Sequence, residues 1–133
     1  MNAAAHAVAS AAVPASASGG PVGAPGWRVL VALVSAHFEV SKADLCGPGM
    51  ARVVSRPRQV LMWLAYRWTP LSTTKIGQLL GGRDHATVIH GYRMIDKNAC
   101  PEADDGRLLE AGLWAAGWVP HPDCSQLHDG DAP

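Results

Sequence analysis

The sequence is poor in the residues that build covalent or metal frameworks. Its three cysteines, Cys46, Cys100 and Cys124, are odd in number and far apart. None shows the C-x2-C spacing of a zinc site, and a reduced cytosolic protein is the simplest reading. No apolar run approaches the roughly 18 residues needed to cross a membrane. The first 26 residues carry no charged side chain, so the positive n-region of an export signal is missing. A G-x4-G-K-[ST] phosphate loop is also missing, which argues against a nucleotide-hydrolysing module. The six histidines and three cysteines form no nucleophile–base pattern. His85 and His90 are five apart and do not share a helical face, which argues against a metal site. The chain is therefore read as a non-enzyme with no cofactor and no metal.

What is present is unevenly distributed. Net charge is zero, yet Trp27 to Asn98 holds ten Lys/Arg against four Asp/Glu, while Ala99 to Pro133 holds one Arg against seven acids. A basic body with an acidic tail suits a nucleic-acid binder whose tail faces elsewhere. Residues 1–26 are rich in Ala, Ser, Pro and Gly. Lacking large side chains, they cannot offset chain entropy by burial and read as a disordered arm.

From Trp27 to Phe38 the apolar residues follow a helical rhythm (Val29, Leu30, Leu33, Val34), and Ser41 can cap a short turn over residues 42–45. A Gly/Pro-containing loop follows, and Ser55 is placed at the start of a helix running to Trp68, with Pro57 in its first turn. Val60, Leu61, Leu64 and Trp68 form its apolar stripe, with Trp63 at the margin. Ser72 to Leu80 reads as a shorter helix capped by Ser72, with Ile76, Leu79 and Leu80 on its buried side. Beyond the acidic linker 101–106, residues 107–119 can form a helix carrying Leu108, Leu109, Leu113, Trp114 and Trp118, which either packs back on the domain, the commoner outcome, or binds a partner. Residues 120–133 read as disordered.

The stretch that organises the chain is Gly81-Gly82-Arg83-Asp84-His85-Ala86-Thr87-Val88-Ile89-His90. Two glycines make a tight turn, Asp84 is placed as an N-cap, and Val88, Tyr92 and Ile95 recur at helical spacing. Helix, glycine turn and helix form the plan of a helix-turn-helix, whose second helix meets base edges with its first residues. Those residues are Arg83, Asp84, His85, Ala86 and Thr87, the candidate base readers. Ala86, His90, Arg93 and Lys97 share a second stripe, which makes His90, Arg93 and Lys97 candidates for phosphate. Arg56, Arg58 and Gln59 sit where a helix N-terminus and two guanidiniums can seat another phosphate. Thr73, Thr74 and Lys75 open the helix before the turn. The fold class is thus all-α: a small helical domain, residues 27–98, with a Trp repressor-like helix-turn-helix and disordered flanks.

The ten-residue stretch resembles the signature of the C-terminal DNA-binding domain of the bacterial chromosomal replication initiator, DnaA, whose pattern is Gly-Gly-Arg-Asp-His-Thr-Thr-Val-Leu-His. Ser55-Arg56-Pro57-Arg58-Gln59 resembles the family's Ala-Arg-Pro-Arg-Gln, and Leu71-Ser72 and Ile76-Gly77 extend the likeness, which covers Trp27 to Asn98. The resemblance implies sequence-specific binding of double-stranded DNA at initiator-box-like sites, by a domain without its ATPase module. It implies regulation of replication initiation or transcription and a cytoplasmic, nucleoid-associated protein. It also implies that Arg58 and Gln59 clamp phosphate, and that Thr73-Thr74 replace a DNA-touching Leu-Pro pair. The loop after Cys46 departs from the family: only Arg52 remains of several cations, and Met50 stands near where another Arg belongs. Ala86 replaces a Thr, keeping a methyl and losing a hydroxyl. The alternative reading is a protein-interaction module with weak DNA affinity, its 107–119 segment docking on the replication initiator or its regulators.

Overall fold

The computed structural model describes residues 23–124, in which six helices and no strand occur. They are α1 (Trp27–Phe38), α2 (Lys42–Leu45), α3 (Arg52–Trp68), α4 (Thr73–Leu79), α5 (His85–Asp96) and α6 (Glu102–Ala115). The all-α class is the observed one.

Helix α3 is the axis, packing against each of the other five helices. Its residues Val60 to Tyr66 are buried without interruption, as expected of a helix surrounded by others rather than one with a wet face. α3 starts at Arg52, earlier than expected, and Pro57 lies inside it. Proline cannot donate to the carbonyl four residues back, here that of Val53. Val53 is 69% exposed, so water can satisfy that carbonyl and the helix continues through the proline.

Local caps match the sequence pattern. Ser41 Oγ accepts from Asp44 N at 3.0 Å, Ser72 Oγ from Lys75 N at 3.1 Å, and Asp84 Oδ1 from Thr87 N at 2.9 Å. Each binds an amide that the first helical turn leaves unpaired. Between α4 and α5 the chain reverses through Gly81 and Gly82, with φ of +84° and +85°. Both lie in the left-handed region that side chains with a Cβ avoid. The amides of Gly82 and Arg83 return to the Gly77 carbonyl at 3.1 and 2.8 Å, closing the end of α4. A Cβ at Gly77 would collide with the Arg83 carbonyl, so glycine here lets the two helices meet.

The C-terminal part differs most from expectation. α6 begins at Glu102 rather than residue 107 and lays Ala103, Gly106, Leu109 and Leu113 against the core. It covers Trp63, which is 1% exposed and central rather than marginal. Glu110 on α6 accepts from Arg67 Nε (2.7 Å), Arg67 NH2 (3.2 Å) and Trp68 Nε1 (2.7 Å), and His37 on α1 pairs with Asp105 at 2.8 Å. After α6 the chain stays docked. Trp118 is buried, His121 N donates to the Trp68 carbonyl, and Val119 N donates to that of Gly23. Residues 23–26 and 120–124 are therefore placed against the domain, contrary to the disorder expected there. The rest of the two expected disordered flanks, 1–22 and 125–133, lies outside the described residues.

Two expectations follow. Gly77→Ala should gain helix propensity of about 1 kcal/mol. The collision is with backbone, which cannot turn aside, so chemical denaturation should show a net loss of about 1–3 kcal/mol. The second concerns Asp84. The Thr87 amide, then the Thr87 hydroxyl, holds its carboxyl below the ordinary carboxylate range. A depressed folded pKa means stability that is present above the unfolded value of about 3.9 and lost as pH falls through the folded one. Asparagine caps comparably without titrating. Denaturation midpoints of wild type and Asp84→Asn, followed from pH 7 down to 2, should therefore converge or cross in acid; a constant offset would refute the linkage.

Candidate nucleic-acid interface

The first turn of α5 is presented to solvent. Asp84, His85, Ala86 and Thr87 are all exposed, while Val88 one residue later is fully buried. The split follows from the helical period: Val88, Gly91 and Ile95 are buried, and His90, Arg93 and Lys97 face outward. Tyr92 turns its ring onto Tyr66 of α3, centroids 4.3 Å apart. Ala86 sits on the outward stripe as the spacing predicts. Thr87 Oγ1 donates to Asp84 Oδ1 at 3.0 Å, which fixes the threonine and leaves its methyl to make apolar contact.

Close packing sets the position of α5 over α3. A Cβ on Gly91 would collide with Met62 Sδ and lie 3.1 Å from Gln59 Cγ. The Gln59 stem is thereby beside the residue that follows His90. Arg56 NH1 donates to Gln59 Oε1 at 3.0 Å, so these two polar groups form a unit next to the outward stripe of α5. Thr73, Thr74 and Lys75 lie on the first turn of α4, with Thr74 and Lys75 exposed and Thr73 half-buried. Arg52 is exposed at the start of α3.

Two arginines stand apart from the rest. Arg58 is 3% exposed, and four of the five N–H groups of its guanidinium are engaged: Nε donates to Leu45 O at 2.7 Å, NH1 to Gly49 O at 2.8 Å, and NH2 to Asp44 O and Gly47 O at 2.9 and 3.2 Å. Burial, and then the neighbouring Arg83 charge, lowers its pKa from the ordinary arginine value. The carbonyls of the α2 end and the following loop take the place of water around it. Arg58, expected at phosphate, turns four of its five N–H groups to carbonyls inside the protein. Arg83 likewise donates to Leu80 O through NH1 and to Gly47 O through NH2, the latter at 2.8 Å. It joins the end of α4 to the 46–49 loop, and the guanidinium expected at base edges is held at the root of the turn.

The sequence reading missed this architectural use of both arginines because a guanidinium beside a helix start has the same pattern whether it faces a phosphate or a carbonyl. It also missed the crowding at Gly91, for which a glycine inside a helical pattern is the available signal. Among the described residues no group of His, Cys, Asp or Glu is arranged to hold a metal ion, and no helix is long and apolar enough to cross a membrane.

Comparison with known proteins bears on this surface. The family described as the bacterial dnaA protein helix-turn-helix matches residues 28–95. The chromosomal replication initiator protein DnaA of Cereibacter sphaeroides (strain ATCC 17029) is 42% identical over 85 residues, 62% of this chain and 19% of the relative. That of Bartonella quintana is 44% identical over 77 residues, 58% and 16% of the two chains, and that of Thermomicrobium roseum 48% over 64 residues, 48% and 14%. The match thus spans a fifth or less of each relative's length. It takes in α1 to the last turn of α5, including the glycine turn and the exposed tip, over just more than half of the chain, so the chain belongs to the bacterial DnaA helix-turn-helix family.

Proposed function

We propose that this domain binds double-stranded DNA by inserting the exposed start of α5 into the major groove, with specificity for initiator-box-like sites. The observation that carries the reading is the division of α5 into an exposed tip, an exposed polar stripe and a fully buried back. In such a helix the tip can meet base edges while the flank holds the backbone. Asp84, His85, Ala86 and Thr87 are assigned to the bases, Ala86 and Thr87 through methyl contact with thymine. His90, Arg93, Lys97, Arg52, Arg56, Gln59, Thr73, Thr74 and Lys75 are assigned to phosphate. Arg83 aims the tip instead of reading with it. The relatives' name, chromosomal replication initiator protein, directs the role proposed here toward control of replication initiation or transcription by a cytoplasmic, nucleoid-associated protein.

The test is fluorescence anisotropy with a labelled initiator-box duplex and a scrambled duplex at several salt concentrations. The box should bind at least about tenfold tighter, equivalent to about 1.4 kcal/mol, and His85→Ala should abolish that margin. Log affinity should fall with log salt by about 0.9 for each phosphate neutralised. Equal binding of the two duplexes would sink the proposed specificity.

A second reading has its own observation. Trp114, in the last turn of α6, is 53% exposed, and Val119, beyond the helix, is 45% exposed, which favours contact with a protein such as the replication initiator or one of its regulators. Trp118, expected to share that role, is buried and unsuited to it. Under this reading Trp114→Ala should abolish capture of the purified initiator in a pull-down and leave box affinity within about twofold, since surface substitutions seldom shift stability by more than about 0.5 kcal/mol. Unchanged capture would remove the surface from consideration.

A further inference from the structure

The reading helix is anchored at both ends, and the distal anchor comes from α6. Arg107 NH1 donates to the Ile95 carbonyl at 3.2 Å and NH2 to the Asp96 carbonyl at 3.0 Å. These belong to the last turn of α5, at the negative end of its dipole, where the Ile95 carbonyl also accepts from Asn98 N at 3.1 Å. A guanidinium placed there caps both carbonyls at once. The same guanidinium lies 5.1 Å from the centre of the Trp63 ring, and the Arg67 guanidinium lies 4.6 Å from that ring centre. Trp63 in turn donates Nε1 to Asp96 Oδ1 at 3.3 Å. Beneath this cluster Gly106 brings α6 so close that a Cβ would stand 3.1 Å from Ile95 Cγ2 and 3.4 Å from the Trp63 ring. The far end of α5 is therefore fixed jointly by α3 and α6.

We infer that Arg107 is a positioning residue for recognition: by capping the distal end of α5 on the Trp63 platform, it sets where the exposed tip at Asp84–Thr87 lies. α5 is a rigid rod with its tip about 18 Å from its capped end. A change of tilt at one end therefore displaces base-reading side chains at the other, while phosphate contacts on long flexible side chains adjust. Arg107 lies outside the segment matched by the family, residues 28–95, and among the residues assigned to DNA none is on α6. The inference rests on the reading of α5 as the DNA-reading helix.

The experiment compares wild type, Arg107→Ala, Arg107→Lys and Leu113→Ala as full chains. Leu113 is a buried α6 residue that serves as a control for reduced stability of the same helix. Each variant is measured well below its thermal midpoint, with helicity verified by circular dichroism. Box and scrambled duplexes are titrated across salt, and amide hydrogen exchange is followed in the free protein. Arg107→Ala should lower the box-to-scramble ratio at least about fivefold with an unchanged salt slope, because it removes no cation from a phosphate, whereas a residue that neutralises one phosphate would, on removal, lower the slope by about one. Arg107→Lys should recover part of the ratio, and Leu113→Ala should leave it unchanged. Exchange in the last turn of α5 and the two residues after it, residues 93–98, should quicken in Arg107→Ala and not in Leu113→Ala. A ratio that is unchanged in Arg107→Ala, or lowered equally by Leu113→Ala, overturns the inference, as does a slope reduced by about one. If wild type itself shows no preference for the box, the reading of α5 fails separately. The exchange data then decide alone: quickening confined to Arg107→Ala upholds the anchor, and its absence overturns it.

Discussion

The Gly47 carbonyl is the point at which two guanidiniums meet. Arg58 reaches it from α3 and Arg83 from the glycine turn, at 3.2 and 2.8 Å. Two like charges brought to one oxygen repel each other, and Arg58 is almost wholly removed from water. The arrangement persists because the loop turns a row of carbonyls inward, those of Asp44, Leu45, Gly47 and Gly49, and so supplies the negative ends of several dipoles. The consequence is geometric. The loop after α2, the root of α5 and the start of α3 become one rigid unit. Gly81 completes it, since a Cβ there would collide with the Cys46 carbonyl. Without this node the exposed tip of α5 would hang from a two-glycine turn, the most permissive backbone available.

From that unit the remaining order follows by packing. Gly91 lets α5 lie directly on Met62 and Gln59, and Gly106 lets α6 lie on Ile95 and Trp63. The two small residues serve the same purpose at successive layers, allowing helix axes to approach where a side chain would hold them apart. Trp63 ends between the layers, with its ring covered and its N–H donated to Asp96. Fixing α5 in this way removes alternative tilts before any partner arrives, so their entropy need not be lost on binding.

Much of this was legible in the sequence because it depends on local chemistry. Ser41, Ser72 and Asp84 cap the helices they precede, since a short polar side chain before an apolar-periodic run has one efficient use. The Val88/Ile95 back and the His90/Arg93/Lys97 flank of α5 follow from a fixed period of 3.6. Long-range choices could not be read in the same way. Nothing in the spacing of Arg58 says that carbonyls from residues 44–49 wait inside. The acids of 101–106 look like a solvated linker until Asp105 is seen to bind His37, and nothing in the spacing of Glu110 says that it binds Arg67 and Trp68. The early end of α6 is acidic because negative side chains favour a helix N-terminus, which makes an apparent linker helical.

The structure also changes what the charge asymmetry means. Read from the sequence, the excess of cations between Trp27 and Asn98 is a reservoir for phosphate. Yet Arg58 and Arg83 are engaged with internal carbonyls and Arg67 with Glu110. Among the acids, Glu110 and Asp105 are bound within the fold, so they contribute less repulsion toward an approaching polyanion than free carboxylates would. The sequence count thus overstates the donors free to meet phosphate, while Arg58 and Arg83, bonded to neutral carbonyls, keep their charge. The cations left at the surface include Arg52, Lys75, Arg93 and Lys97, and the counterion release expected on DNA scales with such groups and not with net charge. Under the proposed reading, arginines held on internal carbonyls add no phosphate contact of their own, and discrimination depends on how firmly the α5 tip is held.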